Sequence, residues 1–367
     1  MKTHIKGQEQ VYKLLDNAIE HNRIAQSYIF YGPEGVGKFT TALIFAMTIN
    51  CLSKDDIKPC GGCSSCHKML EFNHPDLYYI FPTPSMKANT DGELNSKSIS
   101  EYLSYVENRK NTPWNRFYFS GTSEIRKESI ENLQKKLEFS QREAKFRICI
   151  FEDFEEMNLN TVNSFLKTLE EPPANTIFIL ITTKLQSLLP TVISRCQLLF
   201  FKPVSSRIIA EEVNNKFPLL KNQVRSIART ANGNMEYAFR LAQGADQTAK
   251  DLSLQFINAV LDQNDEFIQN LVLSAKENLK VDFIHDLLNQ IILFYSSFED
   301  YISRNSEIDD PLFVNIFHRI IDTYDFAKIK VNDIIIKCDE LHKRLDGNAN
   351  IQYLLIYLFN ELIELSK

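Results

Sequence analysis

Ser27-Tyr28-Ile29-Phe30-Tyr31-Gly32-Pro33-Glu34-Gly35-Val36-Gly37-Lys38-Phe39-Thr40 is the stretch that decides the fold. An apolar, aromatic-rich run passes into a glycine loop and then into a helical run over 41–50, so a strand hands the chain to a helix through a phosphate-binding loop. The glycines let successive backbone N–H groups converge on phosphate oxygens at a helix N-terminus, and a lysine beside them can neutralise the terminal phosphates. Gly32, Gly35, Gly37 and Lys38 are therefore candidate ligands for ATP or ADP. One position departs from the pattern. A working loop follows its lysine with Ser or Thr, whose hydroxyl holds Mg²⁺, and here Phe39 stands there. Thr40 is turned by about 100° around the helix and does not easily replace it.

Outward from this loop, short β-rich runs alternate with helix-period segments: 77–81, 146–151, Thr176–Thr182 and 197–201. That alternation predicts a parallel α/β sheet over 1–203. The stretch 83–100 is polar and rich in Ser, Asn, Lys and Thr, and reads as a loop or insertion, the polar insertion extending over about 83–120. Beyond Pro203 the β signal ends. A small helical subdomain is expected over 204–247 and an all-helical domain over 248–367, where Ile291, Ile292, Phe294, Tyr295 and Phe298, and again Tyr353, Leu354, Tyr357, Leu358 and Leu362, recur at helical spacing. These aromatic residues read as core rather than as base-stacking groups.

At 367 residues the chain is too long for one ordinary core. Its 47 acidic against 41 basic residues argue against a surface that clamps nucleic acid throughout. There is no apolar signal core after Met1 and no run of eighteen apolar residues, so a cytoplasmic protein without membrane contact is expected. Cys51, Cys60, Cys63 and Cys66 form C-x8-C-x2-C-x2-C, four of seven cysteines, which fits a structural Zn²⁺ in a closed tetrahedral shell better than a disulfide framework. His67 reads as a bystander, and Cys149 and Cys338 as core. A DNA-reading zinc module is a weaker reading, because only Lys54, Lys58 and Lys68 lie near and aromatic interleaving is missing.

Arg147-Ile148-Cys149-Ile150-Phe151-Glu152-Asp153 is a buried strand ending in two carboxylates, where an ATPase places its metal ligand and water-activating base. Leu166-Lys167-Thr168-Leu169-Glu170-Glu171-Pro172-Pro173 follows, and later Ser194-Arg195-Cys196. Together with the glycine loop and the cysteine cluster, this series resembles the AAA+ clamp-loader family of bacterial DNA polymerase III. The resemblance covers residues 1 to about 245. It implies a P-loop sheet domain, a helical lid and a C-terminal helical collar in a hetero-oligomer with gamma/tau and delta subunits that loads the sliding clamp onto primed DNA. Within the family, Phe39, the Glu152-Asp153 order where the family has Asp then Glu, and Glu236 at the sensor-arginine position all favour the delta-prime branch. That branch would not hydrolyse ATP itself. Arg195 would then be an arginine finger acting in trans on ATP held by a neighbour. The alternative is a gamma/tau-like ATPase in which water or Thr40 repairs the metal shell.

Overall fold

The computed structural model describes residues 5–55, 57–84, 96–112, 123–217, 221–243, 247–278, 281–304, 311–323, 329–346 and 349–365. Two compact units emerge, one of residues 1–209 with 232–237, the other of 210–231 with 238–367.

The first unit is built on five parallel strands, β1 (Ser27–Tyr31), β2 (Leu77–Ile80), β3 (Arg147–Phe151), β4 (Thr176–Thr182) and β5 (Gln197–Phe200), in the spatial order β2-β3-β4-β1-β5. Every residue of β3 and β4 is buried, as expected of continuous apolar runs in a parallel sheet covered on both faces. Register is set by pairs such as Ser27 with Phe178, Tyr28 with Gln197, and Arg147 with Thr176. The helices of this region are α1 (Glu9–Glu20), α2 (Lys38–Ile49), α3 (Ser64–Leu70), α4 (Ser96–Asn111), α5 (Lys127–Leu137), α6 (Leu159–Glu170) and α7 (Pro190–Ile193). Phe151, Phe154, Phe165 and Phe178 lock α6 onto the sheet through contacting rings. Because β1 lies between β4 and β5 while the chain next crosses to β2 at the far edge, the loop after β1 opens at the carboxyl end of the sheet, where ligands of such sheets bind.

Within the polar stretch 83–100, read as a loop or insertion, a helix begins, since α4 starts at Ser96. Its low hydrophobicity hides a buried face, on which Tyr105 and Arg109 lie one turn apart, 7% and 2% exposed. Residues 85–95 and 113–122 of the insertion lie outside the described residues.

The chain continues through α8 (Ser206–Lys216), α9 (Lys221–Thr230), α10 (Met235–Ala242), α11 (Gln247–Asp262), α12 (Asp265–Asn278), α13 (Val281–Arg304), α14 (Pro311–Thr323), α15 (Val331–Asp346) and α16 (Ile351–Leu365). In the second unit α13 packs on α11 and α15, and Phe294, Tyr295, Phe298 and Phe317 are buried in one core. Aromatic residues at helical spacing are thus core, as expected, although Tyr353 is 76% exposed. No described helix is long and apolar enough to cross a membrane.

Candidate functional site

The glycine loop is held shut by its own chain. Gly35 adopts φ +62°, and a Cβ there would lie 1.6 Å from Asn234 Oδ1, so only glycine permits this approach. The Gly35 carbonyl accepts hydrogen bonds from Met235 N (2.9 Å) and Glu236 N (3.3 Å), and Asn234 Oδ1 accepts from Tyr237 N (2.8 Å). The first turn of α10 therefore rests on the loop. Gln8, 2% exposed, ties the other side: its Nε2 donates to Val36 O (3.3 Å) and Lys202 O (2.7 Å). Lys38, which would meet phosphates, donates to Gly32 O (2.7 Å) and Pro33 O (2.5 Å).

Glu152, at the end of β3, faces this loop, as the spacing predicts, but its carboxylate is engaged. Oε1 accepts from Arg109 Nη2 at 2.5 Å, while Oε2 accepts from the Tyr79 hydroxyl and, at 3.4 Å, from the Tyr105 hydroxyl. The Arg109 guanidinium also stacks on Phe39, with Cζ 3.9 Å from the ring centroid. Burial works against this cation, but Glu152, the two tyrosines and Glu236 outweigh it and hold the guanidinium above its ordinary value. Desolvation, reinforced by the charge of Glu152, likewise pushes both tyrosine hydroxyls up, so they remain protonated donors. Gly35, Gly37, Lys38, Phe39, Arg109, Glu152, Asp153 and Glu236 surround a cavity of about 50 Å³. That is space for a few waters, not for a nucleotide. Asp153 turns out of the strand at φ +51° and lines the same cavity.

Arg195 lies elsewhere. Its Nη2 donates to Glu170 Oε1 at 2.5 Å and its Nη1 to Thr191 O at 2.7 Å, and its side chain remains 32% exposed. It borders an open cleft of about 570 Å³ with Gln26, Ser27, Glu170, Pro172 and Gln197. Gln26 and Ser27 stand at the start of β1, whereas the glycine loop follows its end. Arg195, just before the start of β5, and Lys38, beyond the end of β1, thus lie at opposite ends of parallel strands, and β1 alone spans about 16 Å between those ends. Both therefore cannot address one phosphate in the same chain.

The four cysteines of the spaced cluster do converge. Their Sγ atoms lie within 4.8 Å of one another, near the roughly 3.8 Å edge of a tetrahedron with Zn–S bonds of about 2.3 Å. Backbone N–H groups of Cys60, Cys63 and Cys66 donate to Cys51, Cys60 and Cys63 sulfurs at 3.3–3.4 Å, as thiolate ligands require. Burial raises the Cys63 thiol, yet the N–H groups of Cys66 and Leu52 and the neighbouring thiols bring it down to about 6. The donor set fits a zinc ion with no position left for a catalytic water. His67 is exposed and outside the cluster, while Cys149 and Cys338 are fully buried core residues. Sequence reasoning missed Arg109, Tyr79, Tyr105 and Gln8. The tyrosine and arginine one turn apart on α4 are the signal that could have flagged the first of these.

A family model described as DNA polymerase III, delta subunit, matches residues 7–205. The DNA polymerase III subunit delta' of Bacillus subtilis is 27% identical over 363 residues, 96% of this chain and 94% of that one. The tau subunit of the same organism is 30% identical over 253 residues, 68% of this chain but 38% of its own length. A gamma/tau subunit of Mycoplasma genitalium is 27% identical over 94% of this chain and 50% of that protein. With its glycine loop on a β2-β3-β4-β1-β5 parallel sheet and these likenesses spanning the motifs, the chain belongs to the DNA polymerase III delta-subunit family, on the AAA+ fold of the bacterial clamp loader.

Proposed function

We propose that this chain is a ring-completing subunit of the clamp loader that hydrolyses no ATP itself and presents Arg195 to ATP held by a neighbouring gamma/tau-type subunit. The observation that carries this reading is the placement of Arg195 at the amino end of the strands, exposed on an open cleft and a strand's length from its own glycine loop. A guanidinium there can stabilise charge developing on a phosphoryl group only in another chain. Residues 204–247 would serve as the lid and 248–367 as the collar of the hetero-oligomer with gamma/tau and delta subunits, which acts on the sliding clamp and primed DNA. Cys51, Cys60, Cys63 and Cys66 would hold a structural Zn²⁺, so purified protein should contain about one zinc per chain by elemental analysis.

The test is a loader rebuilt with wild-type or Arg195→Ala chain. Assembly should be intact, clamp- and DNA-stimulated ATPase partly reduced, and clamp loading reduced further, because an arginine finger contributes about 10³-fold or more at the one site it serves. Unchanged rates in both assays, with assembly confirmed, would remove Arg195 from the mechanism. The alternative, a gamma/tau-like ATPase, draws on the complete set of loop glycines and the likeness to tau. Magnesium-dependent turnover by the isolated chain that disappears in Lys38→Ala would favour it.

A further inference from the structure

We propose that Arg109 is a built-in cation that takes the place of the magnesium ion in the glycine-loop pocket and seals it against nucleotide from within. The inference rests on the reading that the chain turns over no ATP, and goes further by assigning the cause to one residue of the insertion. A working site holds its metal between the hydroxyl that follows the loop lysine and a carboxylate at the end of a nearby strand. In this chain those two positions are Phe39 and Glu152, and the Arg109 guanidinium contacts both, stacking on the ring at 3.9 Å and donating to the carboxylate at 2.5 Å.

The surroundings fit a permanent cation rather than an exchangeable one. Phe39 offers a ring face to a planar guanidinium and nothing to a metal. Tyr79 and Tyr105 donate to the second Glu152 oxygen, so both carboxylate oxygens are satisfied without an ion. Glu236 lines the same pocket and favours the charge on Arg109, while its own carboxylate would repel a phosphate. Phe39, Glu236 and Arg109 thus form one set: each is unfavourable to a magnesium nucleotide and favourable to the internal guanidinium. The inserted helix α4 supplies the cation 43 residues before its partner. The chain keeps the loop as architecture and fills it with its own charge.

The experiment measures binding of a fluorescent ADP, with and without Mg²⁺, to the full chain. Wild type should show no saturable binding up to about 1 mM, whereas Arg109→Ala should bind at least about tenfold more tightly, with Mg²⁺ required and methylguanidinium competing. Saturable wild-type binding as tight as that of the variant would overturn the proposal while leaving the Arg195 reading untouched. So would a folded Arg109→Ala chain that gains no binding. Since the single variant leaves the buried Glu152 carboxylate without its counter-charge and can fail to fold, the paired variant Arg109→Met with Glu152→Gln is measured beside it. It should melt near wild type, and a melting point as low as that of Arg109→Ala would show that Arg109 does not serve to balance Glu152, and sink the internal-cation reading.

Discussion

Two arginine–glutamate pairs at the same 2.5 Å separation do opposite things in this molecule. In Arg109–Glu152 the side chains are 3% and 7% exposed, and in Arg195–Glu170 they are 32% and 47% exposed. Distance is therefore not what distinguishes them. Removing one partner of a buried pair leaves a charge with no water to solvate it, at about 3–5 kcal/mol. An exposed pair contributes about 0–1 kcal/mol, because water takes up either charge when they part. Arg109 is consequently fixed where it stands, while Arg195 is held in a defined direction by Glu170 and can still leave it for a stronger anion. The same residue type is buried against its partner at the carboxyl end of the strands and part-exposed in its ion pair at the amino end.

The comparison breaks first at Arg109. Arg109→Ala should lower unfolding free energy by about 3–5 kcal/mol in denaturant titration, and a loss under 1 kcal/mol would mean that water reaches Glu152. A second variant sharpens the point by removing the other charge: Glu152→Gln should cost less than Arg109→Ala, since a neutral amide keeps a partner for the tyrosine hydroxyls, and equal costs would contradict this.

Asp76 supplies a third case, a carboxylate 1% exposed whose hydrogen bonds come from backbone N–H groups, with His74 nearby adding a favourable charge. It accepts from the N–H groups of Arg142, Glu143 and Ala144 at 2.7–2.8 Å. Burial raises its pKa, but the three donors prevail and hold it below the ordinary 3.8. A depressed folded value means that its stabilisation is complete above pH 3.8 and fades as the pH falls through the lower folded value. Asp76→Asn should cost about 1–3 kcal/mol at neutral pH and flatten the acid limb of the stability profile. An unchanged acid limb would show that those bonds do not favour the charged form. The smallest effect is expected at the exposed pair: Arg195→Ala and Glu170→Ala should each change stability by less than about 1 kcal/mol, and less still in high salt. A loss of several kcal/mol from either would erase the contrast.

Much of the site was readable because its rules are local. The glycine loop between Tyr31 and Lys38 follows from three glycines at set spacings, and Phe39 announces the missing metal ligand with no structure at all. The cysteine cluster is legible for the same reason, because its ligands lie within a few turns of one another. The helix α4 was not, since polar Ser, Asn and Lys residues outnumber the buried face that Tyr105 and Arg109 make. Strand ends at Ile80 and Phe200 fall one residue short of the sequence reading, within the usual uncertainty of element boundaries.

By itself the sequence determined the strand–loop–helix core, the buried parallel strands, the sulfur cluster and the aromatic helices of the second unit. These depend on backbone conformation and side-chain period over a few residues. Only the tertiary structure decided what fills the glycine-loop pocket and which end of the strands Arg195 occupies. Glu152 receives Arg109 from 43 residues away, and Gln8 reaches Lys202 across 194. No periodicity encodes such pairings, because they are settled when a polar helix packs over the sheet and a buried carboxylate must find a cation in place of water.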